Sequence, residues 1–389
     1  MQELTTQIGS VKLDTPLLLA AGHITETPEF FLDASKLACA GMVTCSLRES
    51  LPADRRNASP RYAIFDSGHS MLNCEWGSSI PWSYWRDYGV GVVKSAGGAI
   101  IVSLSGRDIN SCAKLIREFD KVGVDAYEIN ISCAHSGAIY GDLSIDFPHV
   151  QKLMMKIRRM TKTPLWVKLS YSSLLLDMAK FVEKHGADAI VCTNGIGPGM
   201  FIDIKTATPR LGIMGGAGSV TGRVIFPIAL NCVYQLAKTV DIPIIGCGGI
   251  TSANEAIQML MAGAKAVELY TEPALHGAEI FTEIAAGIRN YLSNESESGQ
   301  PACSLDNLIG VALHARDESC YTSNIPTITD WQCAICNDWQ CSACRRCVKA
   351  CNFGAIEVKP ASRTPIINEK CVGCSVCADV CWAGAISFK

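Results

Sequence analysis

Eight cysteines near the C-terminus carry the most regular spacing in the chain. Cys341, Cys344, Cys347 and Cys351 are followed 30 positions on by Cys371, Cys374, Cys377 and Cys381. Each set reads C-x2-C-x2-C-x3-C, and the halves "CSACRRCVKACNFGAIEVK" and "CVGCSVCADVCWAGAISFK" also share "GAI" and a final Lys. Tight two-residue spacings point three thiolates at one [4Fe–4S] cube, and the fourth Cys of such a run ligates the other cube. This gives one cluster on Cys341, Cys344, Cys347 and Cys381, and a second on Cys371, Cys374, Cys377 and Cys351. The fourth Cys of each run is expected to start a helix. A pair of zinc sites is the competing reading, but zinc sites rarely use four such Cys twice over. Asn352 and Trp382 replace the Pro usual after the fourth Cys, which removes no ligand. Upstream, Cys333 and Cys336 either join Cys303 and Cys320 in a third metal site or are packed thiols on a strand; packing is the expectation.

The second candidate is "EINISCAHSG", residues 128–137, where an apolar run ends in Asn130 and reaches Cys133 just before a polar loop. Whether that thiol is buried or reactive depends on the elements around it. Ten of the twenty cysteines fall between Cys333 and Cys381; the rest are scattered through apolar stretches, where Cys is usually a small buried hydrophobe. Dense, regular Cys in a chain lacking a basic-plus-apolar leader in "MQELTTQIGS" argues for metal rather than disulfides and for a cytoplasmic location. A net charge of -3 and a pI of about 6.2 leave no basic footprint for nucleic acid. No apolar run approaches the roughly 18 residues of a membrane span.

Residues 1–292 alternate short apolar runs with amphipathic helical stretches. The strands expected are 16–22, 42–47, 99–105, 126–132, 165–170, 189–194, 242–248 and 266–271. Glycines at 123, 186 and 263 close helices just before the next strand. Eight such units in this length predict an α/β fold, a (β/α)8 TIM barrel, over a doubly wound open sheet. "TTQIGSVKLDT" reads as a hairpin able to plug the barrel floor. Residues 293–330 are expected to be a linker with one helix, over 304–316. Residues 331–389 are expected to be a small α+β two-cluster ferredoxin-like domain.

Clusters pass single electrons, so the barrel should hold a group that converts them to pairs, and flavin does this. Barrel sites lie at the C-terminal ends of strands, with phosphate often held after strands 7 and 8. "GCGGI" after strand 7 offers the Gly248 and Gly249 amides at the start of helix 7. Gly216, Gly218 and Ser219 precede helix 6, and Thr271 caps strand 8. Lys168, Asn130, Thr193 and Asn194 end strands, and Asn73 lies in the long segment after strand 2. Together they suggest recognition of amide or carbonyl groups. His23, His69 and His135 sit near strand tops and read as structural or solvated.

These residues carry a resemblance. "EINISCAHSG" is similar to the "ELNLSCP" element of dihydroorotate dehydrogenases and of the FMN-binding part of dihydropyrimidine dehydrogenase. "LLLAAG", "SPRY", "LNCEW", "VKLS", "CTNGIGPG", "GRVIFPIAL" and "GCGGI" follow in that family's order, and the tail resembles dihydropyrimidine dehydrogenase. The resemblance spans nearly the whole chain. It implies FMN held by Ala21, Gly22, Cys45, Asn130, Lys168, Thr193, Gly218, Ser219, Gly248, Gly249, Tyr270 and Thr271. It also implies a cyclic amide bound by Asn73, Asn130 and Asn194, with Cys133 as general acid/base. The chain departs from the family at Cys45 (Lys in the family), Ala134 (Pro), Gly195 (a hydroxyl residue) and Phe226 (a basic residue).

The expected reaction acts on a C–C/C=C bond beside a carbonyl, most simply in a dihydropyrimidine-like ring. Hydride passes to or from FMN while Cys133 handles a proton on the neighbouring carbon. A thiol of ordinary pKa near 8.5 serves either direction. Dihydroorotate oxidation and reduction of another conjugated ring or enoyl compound are alternatives, as is a non-enzymatic electron-transfer scaffold. No dinucleotide fingerprint follows a suitable strand, so NAD(P) chemistry would need a partner. The expected partners are a small-molecule substrate and a ferredoxin or FAD/NAD(P)H subunit, in a homo- or hetero-oligomer.

Overall fold

The computed structural model describes residues 3–50, 60–75, 77–132, 142–212, 214–293, 304–314, 335–337, 340–358 and 364–387. They divide into two compact units, Met1–Ala315 and Arg316–Lys389.

The first unit is a closed barrel of eight parallel strands in sequential order: β1 (Leu17–Leu19), β2 (Gly41–Val43), β3 (Ala99–Ser105), β4 (Ala126–Asn130), β5 (Leu165–Leu169), β6 (Ala189–Cys192), β7 (Ile244–Cys247) and β8 (Ala264–Leu269). Helices α1 (Glu29–Ala34), α2 (Val90–Ser95), α3 (Ile109–Asp120), α4 (Phe147–Arg158), α5 (Leu175–Lys184), α6 (Phe226–Ala237), α7 (Ala253–Met261) and α8 (Ile280–Ser293) alternate with them. The two-residue period of each strand separates two cores. In β3, Ile100, Val102 and Leu104 join the layer that packs with the helices, while Ile101 belongs to the barrel interior.

An antiparallel hairpin, Thr6–Ile8 with Val11–Leu13, packs Ile8, Val11 and Leu13 into the same interior cluster as Leu18, Val43, Ile101 and Trp166. Further along the strands the interior turns polar: Ser103, Glu128, Lys168 and Glu268 are all buried. Lys168, near the end of β5, is thus buried, its ammonium turned into the barrel interior just beneath the mouth.

The barrel mouth carries a four-stranded antiparallel sheet that the sequence pattern did not disclose. Its order is Ile196–Met200, Ala217–Gly222, Ser70–Asn73, Tyr62–Phe65. Its strands are short, two of them glycine-rich, and Ser70–Gly222 partners are 152 residues apart, so no local period marks them. Gly218 and Ser219 lie in this sheet rather than in a loop before α6. Helix α7 starts at Ala253 under Ser252, whose hydroxyl accepts from the Asn254 amide, so Gly248 and Gly249 precede it in a loop.

Residues 304–314 belong with the barrel. The helix expected over 304–316 is one turn, Leu305–Leu308, followed by a 3-10 turn, Val311–Leu313. Leu305 and Leu308 join the barrel core, and the Gly310 amide donates to the Leu260 carbonyl at 2.9 Å. Apolar side chains at this spacing fasten the segment to α7 without needing a long helix.

In the second unit the sequence repeat becomes a structural one. Strand Ile335–Cys336 pairs with Ile386–Ser387, and Ile356–Glu357 pairs with Ile366–Ile367. Helices Arg346–Ala350 and Val376–Asp379 occupy matching places, and Cys347, Cys377, Ile356 and Ile386 form the small core. The fourth Cys of each run does not start a helix. The third lies on it, Cys351 caps its C-terminus, and Cys381 follows the equivalent helix in the other half.

Candidate active site and cysteine cages

At the barrel mouth, Asn73, Asn130, Asn194, Lys168, Cys45, Gly22, Ser219 and Tyr270 line one pocket, with Arg48 and Glu75. The rim sheet supplies two of its walls, because Asn73 and Ser219 are Cα partners on neighbouring strands. β4 ends in Asn130, and Asn194 follows β6. The Asn194 carboxamide donates to Asn130 Oδ1 at 3.3 Å, and Asn130 Nδ2 donates to Ser46 Oγ at 3.2 Å. Ser46 and Ser103 share a bond of 2.9 Å, and Ser103 donates to Glu128 Oε1 at 2.9 Å. Lys168 Nζ closes the ladder, donating to Glu128 Oε2 at 3.0 Å and Glu268 Oε2 at 2.9 Å. Hydrogen bonds thus run from the pocket wall to the buried charges beneath it.

Two carboxylates share one buried ammonium, and the charges respond to that. Burial opposes the charge on Lys168, but Glu128 and Glu268 outweigh it and hold its pKa well above the ordinary lysine value. Burial is also the largest influence on Glu268, and with Glu128 nearby it pushes the carboxyl up to about 7 despite Lys168. Glu268 Oε1 has no protein partner among the described residues, and neither does the indole nitrogen of Trp166. Glu128 and Glu268 were missed at the sequence level. The available signal was a lone acid within each of two mostly apolar strands, with the lone Lys168 in a third.

A second hollow adjoins the first and shares Ala21, Lys168, Asn194 and Tyr270 with it. Thr221 borders both, and the second adds Thr193, Gly222, Gly248, Gly249 and Thr271. Gly218 and Ser219 do not reach it; Thr221 and Gly222, further along the same strand, take that place. The walls suit a flat ring bearing a phosphate tail. Any Cβ at Gly22 would enter the Tyr270 ring, and one at Gly249, whose φ is +76°, would lie 2.6 Å from Phe226. The Gly249 backbone and the N-terminus of α6 thus approach each other, an arrangement that presents amides to a phosphate. Phe226, where a basic residue was expected, packs there instead. His23 Nδ1 lies 2.6 Å from the Tyr270 hydroxyl, and burial lowers its pKa, so it holds Tyr270 as a neutral ring. FMN fits this donor set: glycine amides and Thr193 and Thr271 hydroxyls at one end, Asn130 and Lys168 at the other.

Cys133, Ala134 and His135 fall outside the described residues, as do Cys303, Cys320 and Cys333. In the second unit, Cys341, Cys344, Cys347 and Cys381 line one hollow, and Cys351, Cys371, Cys374 and Cys377 line another. Each fourth Cys thus sits with the other run's three. The Ala355 and Ala385 amides donate to Cys351 Sγ at 3.3 Å and Cys381 Sγ at 3.2 Å, so both fourth positions are held alike. Eight thiols in two hollows suit cubane iron–sulfur groups. Cys336 also borders the first hollow, on a strand packed into the small core.

Barrel, mouth and cysteine cages define a flavoprotein oxidoreductase of the iron–sulfur kind. Residues 3–292 match the family model for dihydroorotate dehydrogenase, and residues 340–386 match that of the 4Fe-4S dicluster domain. The chain belongs to the dihydroorotate dehydrogenase family, whose members are oxidoreductases acting on CH–CH groups. It is 32% identical to "Dihydroorotate dehydrogenase B (NAD(+)), catalytic subunit" of Pyrococcus furiosus over 79% of this chain and 97% of the relative. The protein so named from Thermodesulfovibrio yellowstonii is also 32% identical, over 76% and 96%. That from Thermoplasma acidophilum is 30% identical over 80% and 100%. Among the described residues no helix is long and apolar enough to cross a membrane.

Proposed function

We propose that the chain is the catalytic component of an FMN-dependent enzyme that interconverts C–C and C=C bonds beside a carbonyl in a dihydropyrimidine-like cyclic amide. The observation that carries this reading is the convergence of Asn73, Asn130 and Asn194 on one pocket with Glu75. A carboxamide both donates and accepts, so three of them match the alternating carbonyl and N–H groups of a cyclic ureide. Glu75 adds an acceptor for a ring N–H and opposes an anionic substrate. Bound FMN would take or give the hydride. Lys168, cationic in the barrel, would hold negative charge developing on the ring system above it. Cys133, three residues beyond Asn130, would move the proton at the neighbouring carbon. Two [4Fe–4S] clusters, on the two cysteine foursomes, would pass electrons to a partner.

The relatives' names, catalytic subunits of an NAD(+) enzyme, support a partner subunit that carries nicotinamide chemistry; a ferredoxin is the other candidate. Cytoplasmic location and assembly into an oligomer complete the proposal. A second reading has its own observation: Arg48 lines the same pocket and would suit the carboxylate of dihydroorotate. The test is anaerobic bleaching of the bound flavin by dihydrouracil, dihydrothymine and dihydroorotate. Bleaching by the uncharged rings is expected. Bleaching by dihydroorotate alone would overturn the cyclic-amide reading in favour of the second. A Cys133→Ala variant should lose most turnover while keeping its flavin; full turnover would remove the acid/base role.

A further inference from the structure

We propose that His69, Glu272 and His276 form a binding site for one zinc-class divalent cation that ties the rim sheet to the segment after β8. Glu272 and His276 lie four residues apart on the short helix Thr271–His276 and so share a face. His69 comes from the turn before rim strand Ser70–Asn73. Asp66 and Ser67 in that turn have positive φ (55° and 54°), costly for residues other than glycine, and with Gly68 at 95° they deliver the imidazole and the Gly68 carbonyl to this place.

The donor atoms are already gathered, one from each residue and all within 4.8 Å of one another. Glu272 Oε2 is 3.2 Å from His69 Nδ1, and Glu272 Oε1 is 3.8 Å from His276 Nε2. The same Nε2 donates to the Gly68 carbonyl at 3.0 Å, a hydrogen bond that a bound cation would replace. Ligands at about 2.0–2.2 Å from a zinc ion stand roughly 3–3.5 Å from each other, so the three donors would draw together by about 1 Å around the ion, with water in the fourth position. Two imidazoles and one carboxylate select a zinc-class ion over Ca²⁺ or Mg²⁺, which prefer all-oxygen shells.

Glu272 is buried at 7% exposure, and its bonded partners among the described residues are those two imidazoles. The neighbouring acid, Asp66, is held by Arg223 at 2.8 Å and 3.0 Å, so that cation is already engaged. Glu272 also borders the hollow that contains Gly248, Gly249 and Thr251. A bare carboxylate there would repel a phosphate; a cation on its far side neutralises it.

The test is calorimetric titration of tag-free, chelator-treated holoenzyme with ZnCl2 under anaerobic conditions, with thermal melting alongside. The variants are His276→Ala and His69→Ala, both at partly exposed positions, with iron content confirming intact clusters. Wild type is expected to bind one equivalent that each variant loses or binds at least about tenfold more weakly, and zinc should raise the melting temperature of wild type only. Equal binding in wild type and variants would overturn the site. No binding by wild type would also overturn it, leaving a His–Glu hydrogen-bonded cluster.

Discussion

The two units use the same residue to opposite ends. In the barrel, Cys39 and Cys112 are sealed, and burial pushes their thiols up to about 12. They behave as small apolar side chains. In the second unit Cys344 is exposed, and the Arg346 amide, with Ser342, lowers its pKa. Cys347 and Cys377 are raised by burial, but each shares a hollow with three other cysteines that could ligate one ion cluster. Burial silences a lone thiol, whereas gathered thiols with amide donors become a ligand set. The barrel's own chemistry instead relies on charges that burial forces to pair.

The largest effect should come from breaking a cage across the repeat. Cys381→Ser removes the ligand that sits with Cys341, Cys344 and Cys347, although its sequence neighbours are Cys371, Cys374 and Cys377. Iron content should fall by about half and electron transfer to an external acceptor by orders of magnitude. Electron paramagnetic resonance of the dithionite-reduced protein would show which cluster survives. A Cys351→Ser variant should instead damage the cluster of Cys371, Cys374 and Cys377 and spare that of Cys341, Cys344 and Cys347. If both substitutions damaged the cluster of their own run, the crossed arrangement would fail.

In the barrel, the corresponding lesion is Lys168→Met, which leaves Glu128 and Glu268 buried without their shared cation. Removing one partner of a buried ion pair costs about 3–5 kcal/mol, read from urea unfolding at neutral pH. Flavin retention should fall as well. A loss under about 1 kcal/mol would mean that the carboxylates reach water or another cation.

How much of this was legible depended on how local each signal is. The cysteine cages were written in spacings of two and three residues, and the two hollows gather the same foursomes that those spacings suggested. The barrel was legible from its repeated strand–helix alternation, and β3 falls on the expected residues 99–105. The rim sheet was hidden because its pairings, such as Ile196 with Val220 and Asn73 with Ser219, depend on closure of the barrel. The phosphate-side residues were displaced for the same reason: glycine content pointed to Gly218, and only the sheet register turns Thr221 and Gly222 to the hollow. The triad of Glu128, Lys168 and Glu268 spans three strands. Each member was a visible anomaly, but their meeting is a property of barrel geometry.

A smaller effect, read against pH, tests whether burial governs the carboxyl as it does the thiols. Glu268 holds its proton up to about 7 in the folded chain, against an ordinary value of 4.5. Between those values the folded state binds more protons than the unfolded one, so stability declines as pH rises. The contribution is full below about 4.5 and lost above about 7. In Glu268→Gln this decline should vanish, while the amide oxygen can still accept from Lys168. Urea unfolding of both proteins at pH of about 5 and 8 measures the difference. Parallel pH profiles would show that Glu268 is already ionised across the range.

The smallest expected effect is in the barrel's silent thiols. Cys112 lies on α3, 1% exposed, among Leu115, Ile116 and Phe119 in the strand–helix core. Cys112→Ala removes one buried heavy atom and leaves a small void, at a cost of about 1 kcal/mol. Iron content, flavin content and turnover should match wild type. Its high pKa also means that almost no thiolate forms at pH of about 8, so iodoacetamide should leave Cys112 unmodified in the native protein. Cys344 should react once its cluster is stripped. Rapid native labelling of Cys112 would show that the barrel opens on that timescale, and the contrast between the two kinds of cysteine would then be one of access rather than of ionisation.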